Sequence, residues 1–141
     1  MIPAISTASH GPVHFGGYNP CLAIDGINST FQHTNVSPEK SWWKGVFKTT
    51  VFIKSLTIVA RPNYHQRINN LDIVAVVYKI RKSQEFLIVD TNSLPFITEG
   101  TGTVKSFTIP GIDGIEADEV IVRMNNPQDY LNFAEFYING Y

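Results

Sequence analysis

Cysteine is almost absent from this chain. Cys21 stands alone, so no intrachain disulfide can staple the fold. A lone cysteine reads more readily as a small buried hydrophobe than as a nucleophile. Charge of either sign is also scarce. Eleven Lys and Arg balance twelve Asp and Glu, for a net charge of −1. That balance excludes the basic footprint of a nucleic-acid binder, and no Lys/Arg run offers docking to an anionic membrane. No apolar run is long enough to cross a bilayer, and residues 1–10 lack the cationic start of a signal peptide. Sustained helical periodicity is missing too. So are a nucleophile elbow, a phosphate loop and a zinc pattern. A glycoside hydrolase needs paired carboxylates across a cleft. Asp25 and Glu135 are the only candidates, and both read as structural. The sequence gives no reason to expect an enzyme.

What remains is a single domain, 1–141, rich in strand signals. Its hydrophobic content of 43% supports a real core without staples. Short β-branched and aromatic runs recur: Val51-Phe52-Ile53, Leu56-Thr57-Ile58-Val59, residues 71–80, Phe86-Leu87-Ile88-Val89, Ser106-Phe107-Thr108-Ile109, Val120-Ile121-Val122 and residues 133–138. Turn signals such as Gly16-Gly17, Gly100-Thr101-Gly102 and Asp113-Gly114 separate them. Many short strands with regular turns predict an all-β sandwich or barrel. Residues 9–42 carry few strand signals, and a long irregular segment on a β scaffold is where function tends to sit.

The chemistry gathers between Ala23 and Arg67. Asp25-Gly26-Ile27-Asn28-Ser29-Thr30 is an oxygen-rich turn, read either as an ordinary Asp-Gly turn or as part of a calcium site. Trp42-Trp43 serves as a core anchor or as a ligand platform; alternation along a strand turns one ring inward. Arg61 ends one predicted strand and Arg67 begins the next. Their planar forks of donors suit vicinal hydroxyls or a carboxylate, and His33 adds a donor or acceptor. Tyr64 and His65, between the arginines, offer flat faces to a sugar ring. The plainer alternative for the arginines is a pair of surface salt bridges.

These residues resemble a known family. Ala23-Ile24-Asp25-Gly26, His33, Ser41-Trp42-Trp43-Lys44, the run Ile53-Lys54-Ser55-Leu56-Thr57-Ile58, then Arg61 and Arg67, look like the F-type lectin (fucolectin) pattern within the discoidin, or coagulation-factor C-type, superfamily. Tyr130-Leu131-Asn132-Phe133-Ala134-Glu135-Phe136-Tyr137-Ile138 resembles the closing strand, and the resemblance spans roughly residues 4–141. It implies a jelly-roll β-sandwich with binding loops at one end. It implies that His33, Arg61 and Arg67 hydrogen-bond an L-fucose-like sugar. It also implies a structural calcium, held by carbonyls of Leu22, Ile27, Thr30 and Ala134, the Thr30 hydroxyl, and the carboxylates of Asp25 and Glu135. The expected partners are fucosylated or related glycans, with membranes met only through glycans and with several sites on one assembly for avidity. An extracellular or cell-surface setting is implied by the family alone. Asn63 stands where the family usually carries an acid, the arginines are six rather than seven apart, and Tyr64-His65 fills the place of adjacent cysteines. A discoidin-type module for protein or lipid, with Phe31, Phe47 or Tyr64 at loop tips, is the competing expectation, as is a non-catalytic accessory domain of a larger protein.

Overall fold

The structure is a computed structural model describing residues 5–12, 16–36, 39–79, 81–99, 102–111, 113–125 and 129–141. Ile80, at the end of one expected strand, and Gly100-Thr101, in one expected turn, lie outside them. Ten strands are described: β1 Ile5–Gly11, β2 Gln32–His33, β3 Trp42–Val59, β4 Leu71–Lys79, β5 Lys82–Asp90, β6 Ile97–Glu99, β7 Gly102–Thr108, β8 Ile115–Met124, β9 Asn132–Phe133 and β10 Glu135–Gly140. Short 3-10 turns sit at Pro20–Ile24, His65–Ile68 and Thr91–Ser93. No described helix is long and apolar enough to cross a membrane.

Eight strands form one curled antiparallel sheet, ordered β5-β4-β8-β3-β7-β6, with β1 and β10 also on β3. β3 organises it. Its first half, Trp42 to Phe47, pairs β1 on one side and β8 on the other. Its last residues, Ser55 to Val59, pair β10 and β7. One long strand therefore belongs to both layers, and the sheet folds over on itself as a β-sandwich. Where the sequence shows two runs broken at Lys54-Ser55, the backbone continues without interruption. What changes there is the inward phase. Trp43, Val51 and Ile53 are buried before it, Leu56 and Ile58 after it. Odd positions face the core up to Ile53 and even ones from Leu56, so a pattern of period two breaks although the strand does not.

The two layers meet over an apolar core. Trp43, fully buried, sets its ring edge-on to Phe133 at 5.6 Å and against Phe136 of β10 at 5.7 Å. Its indole N–H donates to the Pro20 carbonyl at 3.0 Å, which pins the irregular segment to the sandwich. Trp42 points outward and is 37% exposed, so the pair splits into anchor and surface ring. Phe47 is also core, at 5% exposure, and is no loop-tip residue. Cys21, by contrast, is exposed. It lies in the Pro20–Ile24 turn, where the small apolar residue taken inside is Ala23.

Candidate functional site

The two-stranded ribbon of β2 and β9, off the main sheet, carries the site. It sets Gln32 opposite Phe133 and His33 opposite Asn132. Buried polar bonds fix it from behind. His10 donates through Nδ1 to Gln32 Oε1 at 2.9 Å, and Gln32 Nε2 donates to the Leu131 carbonyl at 3.2 Å. Asn132 Nδ2 donates to the Gln32 carbonyl at 2.6 Å. Asn132 is fully buried with one oxygen left to present, and that oxygen collects both arginines. Arg67 Nη1 donates to it at 3.0 Å and Arg61 Nη1 at 3.3 Å. Side-chain amides locked in this way hold long, flexible guanidiniums in one place.

His33 joins the same group. Its Nδ1 donates to the Thr34 carbonyl at 2.7 Å, so Nε2 is the acceptor and faces Arg67 Nη1 at 3.4 Å. The ring is nearly buried, at 6% exposure, rather than on a polar surface loop. Aromatic rings wall the cluster. Tyr18 stacks on His33 with centroids 5.3 Å apart, and Tyr130 meets His33 at 5.0 Å. The Arg61 guanidinium lies 4.0 Å from the Phe31 ring centre and 4.4 Å from that of Tyr64. Arg67 lies 4.4 Å from Tyr64 and 5.3 Å from Tyr130. Tyr64 thus sits between the two cations, 37% exposed, as a flat floor with a charged group at either side.

Arg61 follows the end of β3, as its sequence position predicts. Arg67 does not open β4; it lies in the 3-10 turn His65–Ile68. The turn is what shortens the distance between them. Arg67 N–H bonds the Tyr64 carbonyl and Tyr64 N–H bonds the Arg61 carbonyl, both at 3.0 Å, so two tight turns bring the guanidiniums side by side. Asn63 adopts the left-handed conformation, φ 69°, that this path needs. From below, Lys105, almost fully buried, donates to Asn69 Oδ1 and to the Thr91 carbonyl, both at 2.6 Å, and braces the loop's exit. His65 turns away from the arginine pair and sets its ring edge-on to Phe96 at 5.4 Å. It lines a neighbouring cleft of about 200 Å³ with Asn28, Arg61, Asn63 and Thr103.

Asp25, Ile27, Thr30 and Glu135, four of the residues expected at a metal, meet at the next loop. Asp25 closes the Pro20–Ile24 turn, and its Oδ1 accepts from the Ile27 N–H at 2.9 Å. Thr30 Oγ1 donates to Asp25 Oδ2 and lies 3.1 Å from the Ile27 carbonyl. Glu135, 1% exposed at the start of β10, accepts the Gly26 N–H at 2.8 Å. Burial first, and then the hydrogen bond to Asp25, push the Glu135 carboxyl up to about 8. Burial also raises Asp25, but bonds from Thr30, Glu135 and the Ile27 amide outweigh it and leave Asp25 below its usual range. Two acids separated by over a hundred residues therefore meet in one oxygen-rich loop, Asp25 held by Ile27 and Thr30 and Glu135 by Gly26. Leu22 precedes them in the 3-10 turn, and Ala134, fully buried, adjoins Glu135. No described cluster holds three or more His, Cys, Asp or Glu side chains, so any cation here rests on carbonyl and hydroxyl oxygens as well as these two carboxylates.

Gly26 makes this loop possible. Its φ of +77° is left-handed, where a side chain is strained. Gly26→Ala is expected to cost about 1–2 kcal/mol, read as a lower melting temperature. An unchanged melt would mean that the loop does not hold this turn.

Asn132, Tyr18 and Tyr130 were not among the sequence candidates. Asn132 left a signal: a polar residue inside the apolar run Leu131-Phe133-Ala134, all fully buried. A buried amide in such a run needs partners and marks a built polar site. Tyr18 and Tyr130 left none, since contacts across the fold have no local pattern.

No protein-family model matches the sequence, and no curated protein matches it either. Solved structures do match in shape. A fucose-binding module of Streptococcus pneumoniae superposes with a TM-score of 0.74 at 18% identity, covering 100% of this chain and 96% of that one. An F-lectin (fucolectin) from striped bass (Morone saxatilis) serum gives 0.68 at 19% identity, over 95% of this chain and 45% of that one. A family 32 carbohydrate-binding module of Clostridium perfringens, in complex with galactose, gives 0.68 at 20% identity, over 98% of both chains. The chain has the discoidin-like β-sandwich fold shared by fucose-binding modules, F-type lectins and family 32 carbohydrate-binding modules.

Proposed function

We propose that this chain is a non-catalytic, calcium-braced lectin domain. It recognises L-fucose or a related terminal sugar through His33, Arg61 and Arg67. The observation that carries this reading is the convergence of both guanidiniums on Asn132 Oδ1, against the partly exposed Tyr64 ring. Each guanidinium gives an Nη1–H to Asn132 and has other N–H groups to offer to sugar hydroxyls. The part of Tyr64 left exposed between the guanidiniums supplies an apolar contact to the sugar, and His65 lines the adjoining cleft. The neighbours described above as fucose-binding, or seen with galactose, support a sugar as the ligand class.

Calcium fits the oxygen-only donor set. Asp25 and Glu135 would supply carboxylates, Thr30 its hydroxyl, and Leu22, Ile27, Thr30 and Ala134 their carbonyls. A bound dication supplies the positive charge that lets both carboxylates ionise together. The protein's own part is to aim the loop: Tyr137 donates to Asn28 Oδ1 at 3.1 Å and ties the loop tip to β10. The same pair argues for binding rather than catalysis. Hydrolytic carboxylates flank an open space about 5–10 Å wide, whereas Asp25 and Glu135 are tied into one loop by Gly26, Ile27 and Thr30.

A glycan array on the intact chain, run with and without a calcium chelator, tests the reading. The expected result is selective binding to fucosylated or related terminal sugars, weakened by chelation. A uniformly blank array would contradict it. Single-site binding is expected to be weak, because few polar contacts fix a small hydrated ligand. Avidity from several copies compensates.

A further inference from the structure

The two arginines carry a charge that no described carboxylate balances. Among the described residues the ion pairs are Lys44 with Glu119 and Arg123 with Glu85, both on the β8 side of the sheet. Neither Arg61 nor Arg67 has a described carboxylate within the 4.0 Å of a salt bridge. Their described partners are an amide oxygen, an imidazole and aromatic faces. The cleft beside Arg61 continues the pattern: its described lining includes Asn28, Asn63, His65 and Thr103 and no acid. Guanidiniums stay protonated at any relevant pH, so two half-buried positive charges stand side by side. Holding two like charges together without a counter-charge is unfavourable, and a ligand that brings the missing charge relieves it.

We infer that the preferred glycan carries an anionic oxygen group, a carboxylate or a sulfate ester, that pairs with Arg61 and Arg67. The inference rests on the sugar-binding reading and narrows it. A guanidinium fork meets either group with two parallel N–H···O bonds, roughly twice as strong as bonds to neutral hydroxyls. Asn132 has already fixed where both forks sit, so little side-chain freedom is lost on pairing. The cleft next to Arg61 gives the anionic substituent room beyond the terminal ring.

The test is an array of matched glycan pairs, each a neutral oligosaccharide, fucosylated or galactosylated, printed beside its sulfated and its uronic- or sialic-acid counterpart. The best acidic glycan is expected to bind at least tenfold tighter than its neutral partner. That preference should shrink to under threefold in Arg61→Gln, which keeps an amide donor and drops the charge. The sulfated and carboxylated arms separate the two sources of the anion. Neutral glycans that bind as tightly as their acidic partners would overturn this inference and leave the sugar-binding reading standing. An array blank for every glycan would overturn both.

Discussion

Arg67→Ala removes glycan binding, by about 100-fold or more, while the domain stays folded. The side chain is the hub of the arginine cluster: it bonds Asn132, reaches His33 Nε2 and packs between Tyr64 and Tyr130. Losing two charge-assisted bonds to ligand costs about 1.5–3 kcal/mol each, and about 1.4 kcal/mol is a factor of ten in affinity. The cost to folding is smaller. The side chain lies at the surface of the site, outside the core of Trp43, Phe133 and Phe136. Loss of its cation–π contacts and one amide bond should destabilise by about 1–2 kcal/mol, a few degrees of melting temperature. Titration calorimetry or array binding, alongside a circular-dichroism melt, separates the two. Arg67→Lys should recover only part of the affinity, since an ammonium cannot reproduce the planar fork. Full binding by both Arg61→Ala and Arg67→Ala would sink the assignment of the site.

Chelation with rising pH should be the second large effect. In the metal-free protein Glu135 keeps its proton up to about 8, against an ordinary 4.5. A folded-state value raised in this way contributes stability that is complete below about pH 4.5 and is lost as pH rises through about 8. Asp25, held below its usual value, acts in the opposite sense: its contribution is lost only in acid, below about pH 3.8. In chelator, then, the melting temperature is expected to fall between about pH 5 and pH 9, by on the order of 10 °C for a few kcal/mol. Calcium should flatten that slope, because the ion favours both carboxylates ionised. At neutral pH, saturating calcium at a hundred times its dissociation constant adds about 2.7 kcal/mol. Scanning calorimetry across pH, with chelator and with calcium, reads both effects. Identical melts in the two conditions would refute a calcium site in the folded state.

Much of the fold was legible because its cues are local. The β-branched runs of β4 and β8 and the Trp42-Trp43 alternation depend on a few adjacent residues. β1 and β6 escaped notice for the converse reason. Ile-Ser-Thr-Ala-Ser-His-Gly is a polar sequence, and β1 becomes a strand by pairing with β3. β3 itself was read as two strands because the inward phase shifts at Lys54-Ser55 while the backbone runs on. The site divides in the same way. The predicted residues stand in two adjoining groups, one around Asn132 and one around Asp25, with His65 facing the cleft beside them. What the sequence hid was the centre of the first group, the Asn132 oxygen that collects both arginines. Asn132 meets Gln32 from a hundred residues away, and its role follows from tertiary pairing of β2 with β9. Arg67 was misplaced onto a strand because a four-residue 3-10 turn has too few residues to show a period.

The central claim is that sugar meets this chain at the two arginines on Asn132. Titrating the best array glycan into isotope-labelled protein, and following side-chain NMR signals, tests it most directly. The account predicts that the guanidinium Nε–H signals of Arg61 and Arg67, the Asn132 side-chain amide and the His33 ring shift first and furthest. Shifts confined elsewhere, for example to the surface groove lined by Val77, Phe86 and Ile115, with the arginine signals unmoved, would contradict it.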